Sequence, residues 1–426
     1  MNKRIVIVGA GPVGLAAANA AREADSEASI ELYGDEPYPP HRRPGIVGLI
    51  SGETQRVSDL YLATARDLWR RRISLKTFSK VTKIDFENRF VHVGLPKGGF
   101  EKRPYDSLVL ATGGVAYLPR VEGVDRKGVF VPRTLQDALA IRRYSRNSRE
   151  AVVVGGGLSG IESAEALVRL GLKVTMVVRS RLMRENLDVS LSTLLQERLQ
   201  QHGVPVNIGQ SPRAIEGIKH AERLVTDSEE ISSPLILFAT GVRPSIGLVE
   251  DDLATGQTGA IQVDERMQTS VEGVFACGDC AEKVEFVTNK PLYMPIGMLG
   301  ASQAAVAGMN ATGKSARLKG LFRAQIDEIF GTTVSAMGLT EEQAKSAGIP
   351  AEGCWIRVEY RKIAPLLMKT RSGSKIWAVV NSKTGEIIGA QILGGRGTTR
   401  HASVLRQSIL ERKTLHEIET LSYVTA

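Results

Sequence analysis

The residues with the clearest chemical potential are glycines spaced to bind phosphate. Gly9-x-Gly11-x-x-Gly14 follows a short apolar strand, Ile5 to Val8, and precedes an alanine-rich helix. The first glycine permits a tight bend, the second lets a pyrophosphate approach the backbone, and the third lets the helix pack closely on the strand. Free N–H groups at the helix start then face the phosphates. This first glycine turn therefore predicts a dinucleotide site formed by Gly9, Gly11, Pro12, Val13 and Gly14.

The next strand, within SIELYGDE, is expected to supply an acid for the adenosine ribose about 20 residues downstream of the turn. The position at the strand end is Gly34, which has no side chain to offer. Asp35 and Glu36 follow at once. We expect one of these two carboxylates to bind the ribose, and the sequence leaves the choice between them open.

A second glycine turn repeats the design in the middle of the chain. Val152–Val154 is the expected strand, Gly155-x-Gly157-x-x-Gly160 the turn, and Ile161–Leu170 the amphipathic helix. The predicted contacts with the second dinucleotide are Gly155, Gly157, Leu158, Ser159 and Gly160. Two such sites in one chain predict two dinucleotides, and a protein that holds two of them usually passes electrons between them.

The strand after the second turn ends in arginines. Val178 stands where an NAD-selective site would have a carboxylate, and Arg179, Arg181 and Arg184 follow. A carboxylate would accept hydrogen bonds from a free ribose 2′-hydroxyl, whereas guanidinium groups would bind a 2′-phosphate. The pattern favours NADPH as the nucleotide. The alternative is that the arginines lie in solvent and NADH is used.

Two apolar strands each end in Ala-Thr-Gly and mark returns of the chain to a sheet. The first, DSLVLATGG, includes Ala111, Thr112 and Gly113, and the second, LILFATGVRP, includes Gly241. Each closes a segment that opened with a glycine turn. The pair therefore predicts one nucleotide domain inserted into another.

A third motif, TSVEGVFACGDCAE, reads as a short strand, then Gly278-Asp279, then the start of a helix. Asp279 would accept hydrogen bonds from the sugar-alcohol hydroxyls of FAD, and a helix N-terminus there would favour its phosphates. Residues 293–313 follow as a small-residue helix that can approach the flavin closely.

Length and composition limit the classes of protein. A chain of 426 residues predicts two or three domains, and 42% hydrophobic with 24% charged residues is ordinary for a globular protein. No apolar run reaches the roughly 18–20 residues of a membrane span, and no signal peptide is evident at the N-terminus. Three cysteines cannot form a disulfide framework, which favours the cytoplasm. The net charge of +9 comes without an aromatic-interleaved basic stripe, so it suits anionic dinucleotides better than nucleic acid.

Together these motifs resemble the flavoprotein family that includes CoA-disulfide reductases, NADH oxidases and rubredoxin or ferredoxin reductases. The resemblance covers essentially the whole chain. It implies an α/β fold with two Rossmann-like dinucleotide-binding domains, one inserted in the other, plus a C-terminal α+β dimerisation domain. The implied FAD-binding domain is 1–115 with 245–320, the NAD(P)H-binding domain is 116–244, and the interface domain of a homodimer is 325–426. Alternation around Lys383-Thr384-Gly385 independently predicts a hairpin in the last domain.

The resemblance also implies roles for individual residues. Glu162 would lie near the contact between nicotinamide and flavin, and His41 would lie in the loop that faces the flavin, as a candidate proton relay. Tyr423 matches a tyrosine in the family's C-terminal segment, which reaches the partner's active site. Further cofactor contacts are implied at Arg43, Val81 and Leu299.

One departure from the family concerns sulfur. In the CoA-reductase and oxidase branch a reactive cysteine faces the flavin, and here Pro44 occupies that position. The ferredoxin-reductase branch shares Gly34 to Pro37 with this chain, but Gly48 replaces its lysine. Cys277-x-x-Cys280 flanks Asp279, so we interpret these cysteines as small packing residues, and the histidines show no metal-binding spacing.

The activity implied is that of an FAD-dependent NAD(P)H oxidoreductase, with FAD and NADPH (or NADH) as cofactors. Electrons would leave the flavin for an acceptor other than a disulfide: dioxygen, a quinone or dye, or a small redox protein. Two alternatives stay open. One is a CoA-disulfide or polysulfide reductase with an atypical thiol, and the other is a flavin-bearing sensor that does not turn over.

Overall fold

The computed structural model describes residues 2–94, 98–356, 373–395 and 397–421. The elements of the N-terminal part are β1 (Arg4–Val8), α1 (Pro12–Ala24), β2 (Ser29–Tyr33), α2 (Ile46–Ser51), α3 (Ala65–Arg70), β3 (Ile73–Lys76), β4 (Val81–Asp85), β5 (Phe90–Gly94), β6 (Phe100–Pro104), β7 (Ser107–Leu110) and β8 (Gly114–Ala116). Those of the middle part are β9 (Val129–Phe130), α4 (Leu135–Ser145), β10 (Glu150–Val154), α5 (Leu158–Arg169), β11 (Lys173–Val178), α6 (Val189–Gln201), β12 (Val206–Ile208), β13 (Pro212–Glu216), β14 (Arg223–Thr226), β15 (Glu230–Ser232), β16 (Ile236–Phe238) and β17 (Val242–Pro244).

The chain continues with a short return to the first part and then a C-terminal unit. The returning elements are β18 (Val274–Ala276), β19 (Lys283–Val284), β20 (Pro291–Leu292) and α7 (Gly297–Ala311). The C-terminal elements are β21 (Ala324–Ile329), β22 (Thr332–Gly338), α8 (Glu341–Ser346), β23 (Ala351–Ile356), β24 (Lys375–Asn381), β25 (Ile387–Gly394), α9 (Thr398–Leu410) and α10 (Leu415–Leu421).

Two parallel sheets repeat the same strand arrangement. The first has the order β18-β7-β1-β2-β3, and the second has the order β9-β16-β10-β11-β12. Their central strands are β-branched runs buried on both faces, as parallel strands covered by helices require. A three-stranded antiparallel sheet accompanies each, β4-β5-β6 in the first case and β13-β14-β15 in the second.

The strands of the first sheet enclose those of the second in sequence. The first sheet combines strands between residues 4 and 110 with β18, while the second lies between residues 129 and 238. The two crossings of the chain run side by side, because β8 pairs antiparallel with β17. This is the arrangement expected for one nucleotide domain inserted in another, and the exact boundaries stay a prediction.

Helix α7 packs along α1 on one face of the first sheet. At Gly308 a Cβ would collide with the carbonyl oxygen of Ala17, so glycine permits the close approach of the two helices. The small residues of this helix therefore serve packing against α1. In the described part of the chain, no helix has the length and apolar character needed to cross a bilayer.

The C-terminal unit is an antiparallel sheet of order β21-β22-β25-β24-β23 with α8 and α9. The predicted hairpin is confirmed: β24 and β25 pair antiparallel, and Gly385 in the turn has a φ of 75°. Ile329 and Val334 of this unit join the same hydrophobic cluster as α5 and α6 of the second nucleotide unit. The sheet is thus anchored against that unit.

One expected element differs. The helix predicted to start at Gly278-Asp279 is a single 3₁₀ turn, Gly278–Cys280, and the next helix begins only at Gly297. Gly278 has a φ of 83°, which bends the chain before a regular helix can form. A three-residue turn has too few aligned peptides for an appreciable dipole, so the phosphate role predicted for this helix start is not supported.

Candidate functional site

The first glycine turn owes two of its glycines to the protein itself. Gly9 has a φ of 112°, and a Cβ there would collide with the carbonyl oxygen of Ala111. A Cβ at Gly14 would collide with the carbonyl oxygen of Gly9. The Ala111 segment approaches the turn, and the turn approaches α1, so closely that only glycine fits at both positions.

The second glycine turn has the same contacts. Gly155 has a φ of 124°, and a Cβ there would collide with the carbonyl oxygen of Ala239, the counterpart of Ala111. At Gly160 a Cβ would collide with the carbonyl oxygen of Gly155. The two sites share one backbone design.

The middle glycine of each turn has a different reason. Gly11 has a φ of −81° and Gly157 a φ of −76°, angles that any residue adopts, and a Cβ at either would meet no heavy atom within 4 Å. Nothing within the described protein requires glycine there. A bound pyrophosphate at the helix N-terminus does, because a side chain would fill the space that it approaches. Both turns therefore fit a dinucleotide.

The strand end of the first site carries an ion pair. A Cβ at Gly34 would lie 2.7 Å from that of Ala10, so the strand end packs against the turn. Asp35 is exposed, whereas Glu36 is partly buried and accepts a 2.5 Å hydrogen bond from Nη2 of Arg43. A second nitrogen of this guanidinium, Nη1, donates to the carbonyl oxygen of Arg133 at 3.2 Å. The structure favours neither carboxylate as the ribose ligand by contact, so that choice stays a prediction.

His41 lies beside this pair and is 3% exposed. Its Nδ1 lies 3.0 Å from the carbonyl oxygen of Pro39, and its Nε2 lies 3.8 Å from Oε2 of Glu36. Burial lowers the pKa of His41 and Arg43 lowers it further, while the hydrogen bond to the carbonyl oxygen of Pro39 opposes the change. Both Nε2 of His41 and Oε2 of Glu36 lack a hydrogen-bond partner among the described residues. A neutral imidazole with one unused nitrogen is compatible with the relay role, which no contact here tests.

Asp279 and Arg133 lie close to each other. Burial lowers the pKa of Arg133, while the nearby Asp279 opposes that change. Nη2 of Arg133 donates a hydrogen bond to the carbonyl oxygen of Gly114 at 2.8 Å. Tyr293 is close to both, and burial raises the pKa of its hydroxyl. The sequence reasoning missed Arg133, because a single arginine before a helix cap resembles a surface residue.

The Ala-Thr-Gly segments lie where the chain crosses between the two units. Thr112 Oγ1 donates to the carbonyl oxygen of Ser245 at 2.7 Å, and Thr240 Oγ1 donates to that of Tyr117. Gly113 and Gly241, with φ values of 72° and 101°, make the bends at these points. Each threonine thus fastens one crossing strand to the other.

Two further cofactor candidates, Val81 and Leu299, are buried packing residues. Val81 is 6% exposed and opens the first antiparallel sheet, packed with Tyr33. Leu299 is 8% exposed in the first turn of α7, packed with Met294. Both lie in the first nucleotide unit, and their flavin contacts stay a prediction.

Glu162 of α5 lines a cavity of about 190 Å³. Pro44, which the family resemblance predicts to stand at the cysteine position, is part of the same wall. Burial raises the pKa of Glu162 to about 7, and the carboxylates of Asp327 and Glu165 add to the rise. Glu162 can therefore hold or release a proton near neutral pH.

The C-terminal unit contributes to this surrounding. Asp327 lies on β21, burial raises its pKa, and its Oδ2 has no hydrogen-bond partner among the described residues. Glu328 lines the cavity from the same strand. Arg169 supplies compensating charge through a 2.7 Å ion pair with Glu165.

The arginines after β11 are not equivalent. Arg179 is exposed and makes no hydrogen bond or ion pair with the residues that the structure describes. Arg181 and Arg184 instead form ion pairs of 2.8 and 2.5 Å with Glu342 of α8. The three side chains predicted to bind one phosphate therefore do not converge on a common site. Of the three, Arg179 is the one that could bind a phosphate without first leaving an internal partner.

Residues 3–293 match the family described as pyridine nucleotide-disulphide oxidoreductase. The chain belongs to this family. It is 32% identical to an NAD(P)H coenzyme A polysulfide/persulfide reductase of Pyrococcus horikoshii, over 92% of this chain and 88% of the relative. It is 28% identical to an NADH oxidase of Methanocaldococcus jannaschii, over 99% and 94% of the two chains. The solved NAD-dependent persulfide reductase of A. fulgidus is 30% identical and has a TM-score of 0.90, with 97% of this chain and 78% of that chain covered.

Membership of the pyridine nucleotide-disulphide oxidoreductase family confirms the predicted fold class, and FAD and NAD(P)H are the cofactors of this family. The glycine turns of this chain fit them. The predicted enzyme class, an FAD-dependent NAD(P)H oxidoreductase, is confirmed by the same family membership. The electron acceptor is not decided by the comparisons, because the relatives include both oxidases and persulfide reductases.

All three cysteines lie away from the Glu162 cavity. Cys277 and Cys280 are 0% exposed and pack into the cores on either side of the first sheet. Burial raises the pKa of the Cys277 thiol well above its ordinary value. Cys354 lies on β23, at the far edge of the C-terminal sheet. None of these sulfurs lines the cavity that Pro44 faces, and Tyr423 lies outside the described residues.

Proposed function

We propose that this chain is an FAD-dependent NAD(P)H oxidoreductase whose flavin passes electrons directly to an acceptor, with no thiol or disulfide between them. The observation that carries this proposal is the cavity shared by Pro44 and Glu162. A member of the family that relays electrons through sulfur needs a thiol facing the flavin, and here the cavity wall has a proline at that position. The chain's thiols are elsewhere, and those of Cys277 and Cys280 are inaccessible.

The protein's own residues would hold, orient and shield the reactants. The first glycine turn, Arg133 and Asp279 would hold FAD, and the second turn would hold the pyridine nucleotide. Bound FAD supplies the redox chemistry, since it accepts a hydride from the nicotinamide and gives up electrons singly or in pairs. Glu162 would keep a proton at the edge of the cavity, because burial raises its pKa to about 7.

NADPH is our proposed preferred nucleotide. Val178 at the strand end cannot accept a hydrogen bond from a ribose hydroxyl, and Arg179 lies next to it without an internal partner. A guanidinium can bind a 2′-phosphate through charge-assisted hydrogen bonds. A homodimer formed through the C-terminal unit and a cytoplasmic location are part of the same proposal, on the strength of the family resemblance.

The acceptor we favour is dioxygen, a quinone or a small redox protein. The net charge of +9 would attract an acidic protein partner and speed its encounter. A second candidate, reduction of a persulfide or polysulfide, is favoured by the 32% identity to the Pyrococcus horikoshii reductase. In this chain that reaction would need direct transfer from flavin to the sulfur substrate.

Anaerobic stopped-flow spectroscopy tests the proposal. The FAD-loaded protein is mixed with NADPH or NADH while flavin bleaching is followed, and acceptors are then added one at a time: dioxygen, a quinone, a ferredoxin, CoA disulfide and a persulfide. We expect bleaching by NADPH and reoxidation by one of the first three. No bleaching with either nucleotide would refute the oxidoreductase proposal. Bleaching without reoxidation by any acceptor would favour the sensor alternative, and fast reoxidation by the sulfur compounds alone would favour the second candidate.

A further inference from the structure

Glu342, on α8 of the C-terminal unit, reaches the loop that follows β11, here named the arginine loop (residues 179–188). Its Oε2 accepts a hydrogen bond from Nη2 of Arg181 at 2.8 Å, and its Oε1 accepts one from Nη2 of Arg184 at 2.5 Å. We propose that Glu342 is a specificity-determining residue, an internal carboxylate that competes with the 2′-phosphate of NADPH for Arg184. This inference rests on the proposed function of the second glycine turn as the pyridine-nucleotide site.

The arginine loop is fastened to that turn. The backbone N–H of Met183 donates to the carbonyl oxygen of Gly156 at 2.7 Å. A Cβ at Gly156 would lie 2.6 Å from Cγ1 of Val178 and 3.2 Å from the carbonyl oxygen of Arg181. The loop therefore borders the turn directly, where the adenosine end of a dinucleotide is bound in this fold.

Within the loop, Arg181 and Arg184 have different commitments. Arg181 is 20% exposed and also donates to the carbonyl oxygens of Leu187 and Arg184 at 3.3 Å each, so it helps to shape the loop. Arg184 is 43% exposed, and in the described part of the chain Glu342 is the partner of its side chain. Arg184 is thus the guanidinium that can exchange partners without loss of the loop's own bonds.

The exchange is physically reasonable because the existing pair is weak. Glu342 is 47% exposed, and ion pairs open to solvent contribute little net stability. A phosphate monoester carries more negative charge than a carboxylate and offers three acceptor oxygens. The hydrogen bonds from Arg181 and then Arg184 lower the pKa of Glu342, so the carboxylate stays charged and competes at neutral pH.

Hydrogen bonds within α8, and between the C-terminal unit and the arginine loop, fix the position of Glu342. Helix α8 begins with a capping box in which Thr340 Oγ1 accepts from the N–H of Gln343 at 3.2 Å. Asp188, at the end of the arginine loop, accepts from the N–H of Glu341 at 3.0 Å and from Nε2 of Gln391 at 2.6 Å. The C-terminal unit therefore holds the competing carboxylate against the arginine loop, and nucleotide choice depends on residues outside the nucleotide-binding unit.

Calorimetric binding of two fragments to the FAD-loaded protein tests this inference without turnover. One fragment is 2′,5′-ADP, which carries the 2′-phosphate, and the other is 5′-AMP, which lacks it. We expect Glu342→Gln to raise the affinity ratio of 2′,5′-ADP to 5′-AMP by about 3- to 5-fold, because one exposed, charge-assisted competitor is removed. The matched control is Glu341→Gln, which removes the same charge one residue away, where the carboxylate pairs with Lys345 at 2.5 Å. That variant should leave the ratio unchanged.

A second arm makes the outcome independent of general electrostatics. In an Arg184→Gln background, Glu342→Gln should change the ratio by less than about twofold, because the competed group is gone. An unchanged or lower ratio in Glu342→Gln alone, with FAD content and circular dichroism intact, would overturn the inference. An equal rise in the Arg184→Gln background would overturn it too. Binding of neither fragment to the unaltered protein would instead show that the proposed nucleotide site itself is wrong.

Discussion

The two glycine turns share a backbone and differ in what surrounds it. In both, the alanine oxygen of an Ala-Thr-Gly segment requires the first glycine, the carbonyl oxygen of that first glycine requires the third, and the middle glycine faces open space. The strand ends then diverge. The first turn has Ala10 against Gly34 and an internal pair of Glu36 with Arg43, whereas the second has Gly156 against Val178 and a loop of arginines. The first turn borders an ion pair that lies within the first nucleotide unit, whereas the second borders Arg179, which is exposed, and two arginines paired with the C-terminal unit.

This difference separates two kinds of constraint. The shared glycines fix how strand, turn and helix fit together, so they identify the binding of a dinucleotide but not which one. The strand ends decide identity, because they meet the ribose and its substituents. A partly buried cluster such as Glu36, Arg43 and Arg133 suits a cofactor that stays bound, and an exposed guanidinium such as Arg179 suits a substrate that exchanges.

The largest effect is expected from a side chain at the middle glycine. Gly157→Val should weaken NADPH binding at least about 100-fold while FAD content and melting temperature stay unchanged, since the new side chain takes the place of phosphate contacts. Gly11→Val should do the reverse, with loss of FAD from the purified protein. Flavin absorbance and calorimetry measure both.

The matched control for these variants is Gly247→Val. Gly247 is also a glycine with no heavy atom within 4 Å of a Cβ and no positive φ, and it lies in neither turn. It should keep both nucleotides. Equal loss of FAD and NADPH in Gly11→Val and Gly157→Val would contradict the assignment of one dinucleotide to each turn.

The next effect concerns the arginine loop. Arg179→Glu should lower the preference for NADPH over NADH about 10-fold or more, because a guanidinium that would pair with the phosphate becomes a repelling carboxylate. The ratio of kcat/KM values for the two nucleotides measures it. Arg146→Glu makes the same charge change on an exposed residue after α4 and should leave the ratio unaffected. Unchanged selectivity in Arg179→Glu would remove the basis for NADPH preference.

The sequence predicted the shared part of the two turns better than the divergent part. Gly9 and Gly155 could be predicted because strand, glycine turn and helix follow one another in the sequence, although the oxygens that exclude a side chain there belong to the distant Ala111 and Ala239. The partner of Arg184 is not, since Glu342 lies 158 residues away and belongs to another unit. Arg133 was missed for a similar reason: its meaning comes from Asp279 and Gly114, which only the folded chain brings near it.

Local chemistry also misled in one place. Gly278-Asp279 after a short strand resembled a strand-to-helix turn like the other two, yet a 3₁₀ turn follows. Here the bend at Gly278 is packed under Val13, with a Cβ at Gly278 only 2.9 Å from Cγ1 of Val13. The position serves to close the core beneath the first turn rather than to begin a helix.

A smaller effect is expected from Glu162, which lies on the helix after the second turn and has no counterpart on the helix after the first. Its folded-state pKa of about 7 exceeds the ordinary 4.5, so the folded protein binds this proton more tightly than the unfolded chain does. The resulting stability is fully present below pH 4.5 and is lost as pH rises through 7. Between pH 5 and 8, Glu162→Gln should therefore lose less stability than the unaltered protein. The difference should be a few degrees in Tm, since 1 kcal/mol corresponds to about 2–4 °C in a sizeable domain.

Asp327→Asn sharpens this prediction. Removal of a neighbouring negative charge should lower the pKa of Glu162, so the pH midpoint of the stability loss should move downward. Differential scanning calorimetry across the pH range measures both variants. Identical pH profiles for Glu162→Gln and the unaltered protein would show that the proton is held elsewhere.

The smallest effect is expected at the thiols beside the first turn. Cys277 and Cys280 are buried near the first turn, and the second turn has no such neighbours. A buried free cysteine acts as a small apolar residue. The double variant Cys277→Ala with Cys280→Ala should change the rates of flavin reduction and reoxidation by less than about twofold, because neither sulfur lies on the cavity wall with Pro44 and Glu162. Alkylation of the native protein with iodoacetamide should likewise leave those rates unchanged. The opposite outcome would be a double variant that keeps its FAD and is still reduced by NADPH but is no longer reoxidised by any acceptor. Electrons would then have to pass through sulfur. In that case the proline in the cavity wall would not distinguish this chain from the thiol-dependent members of its family.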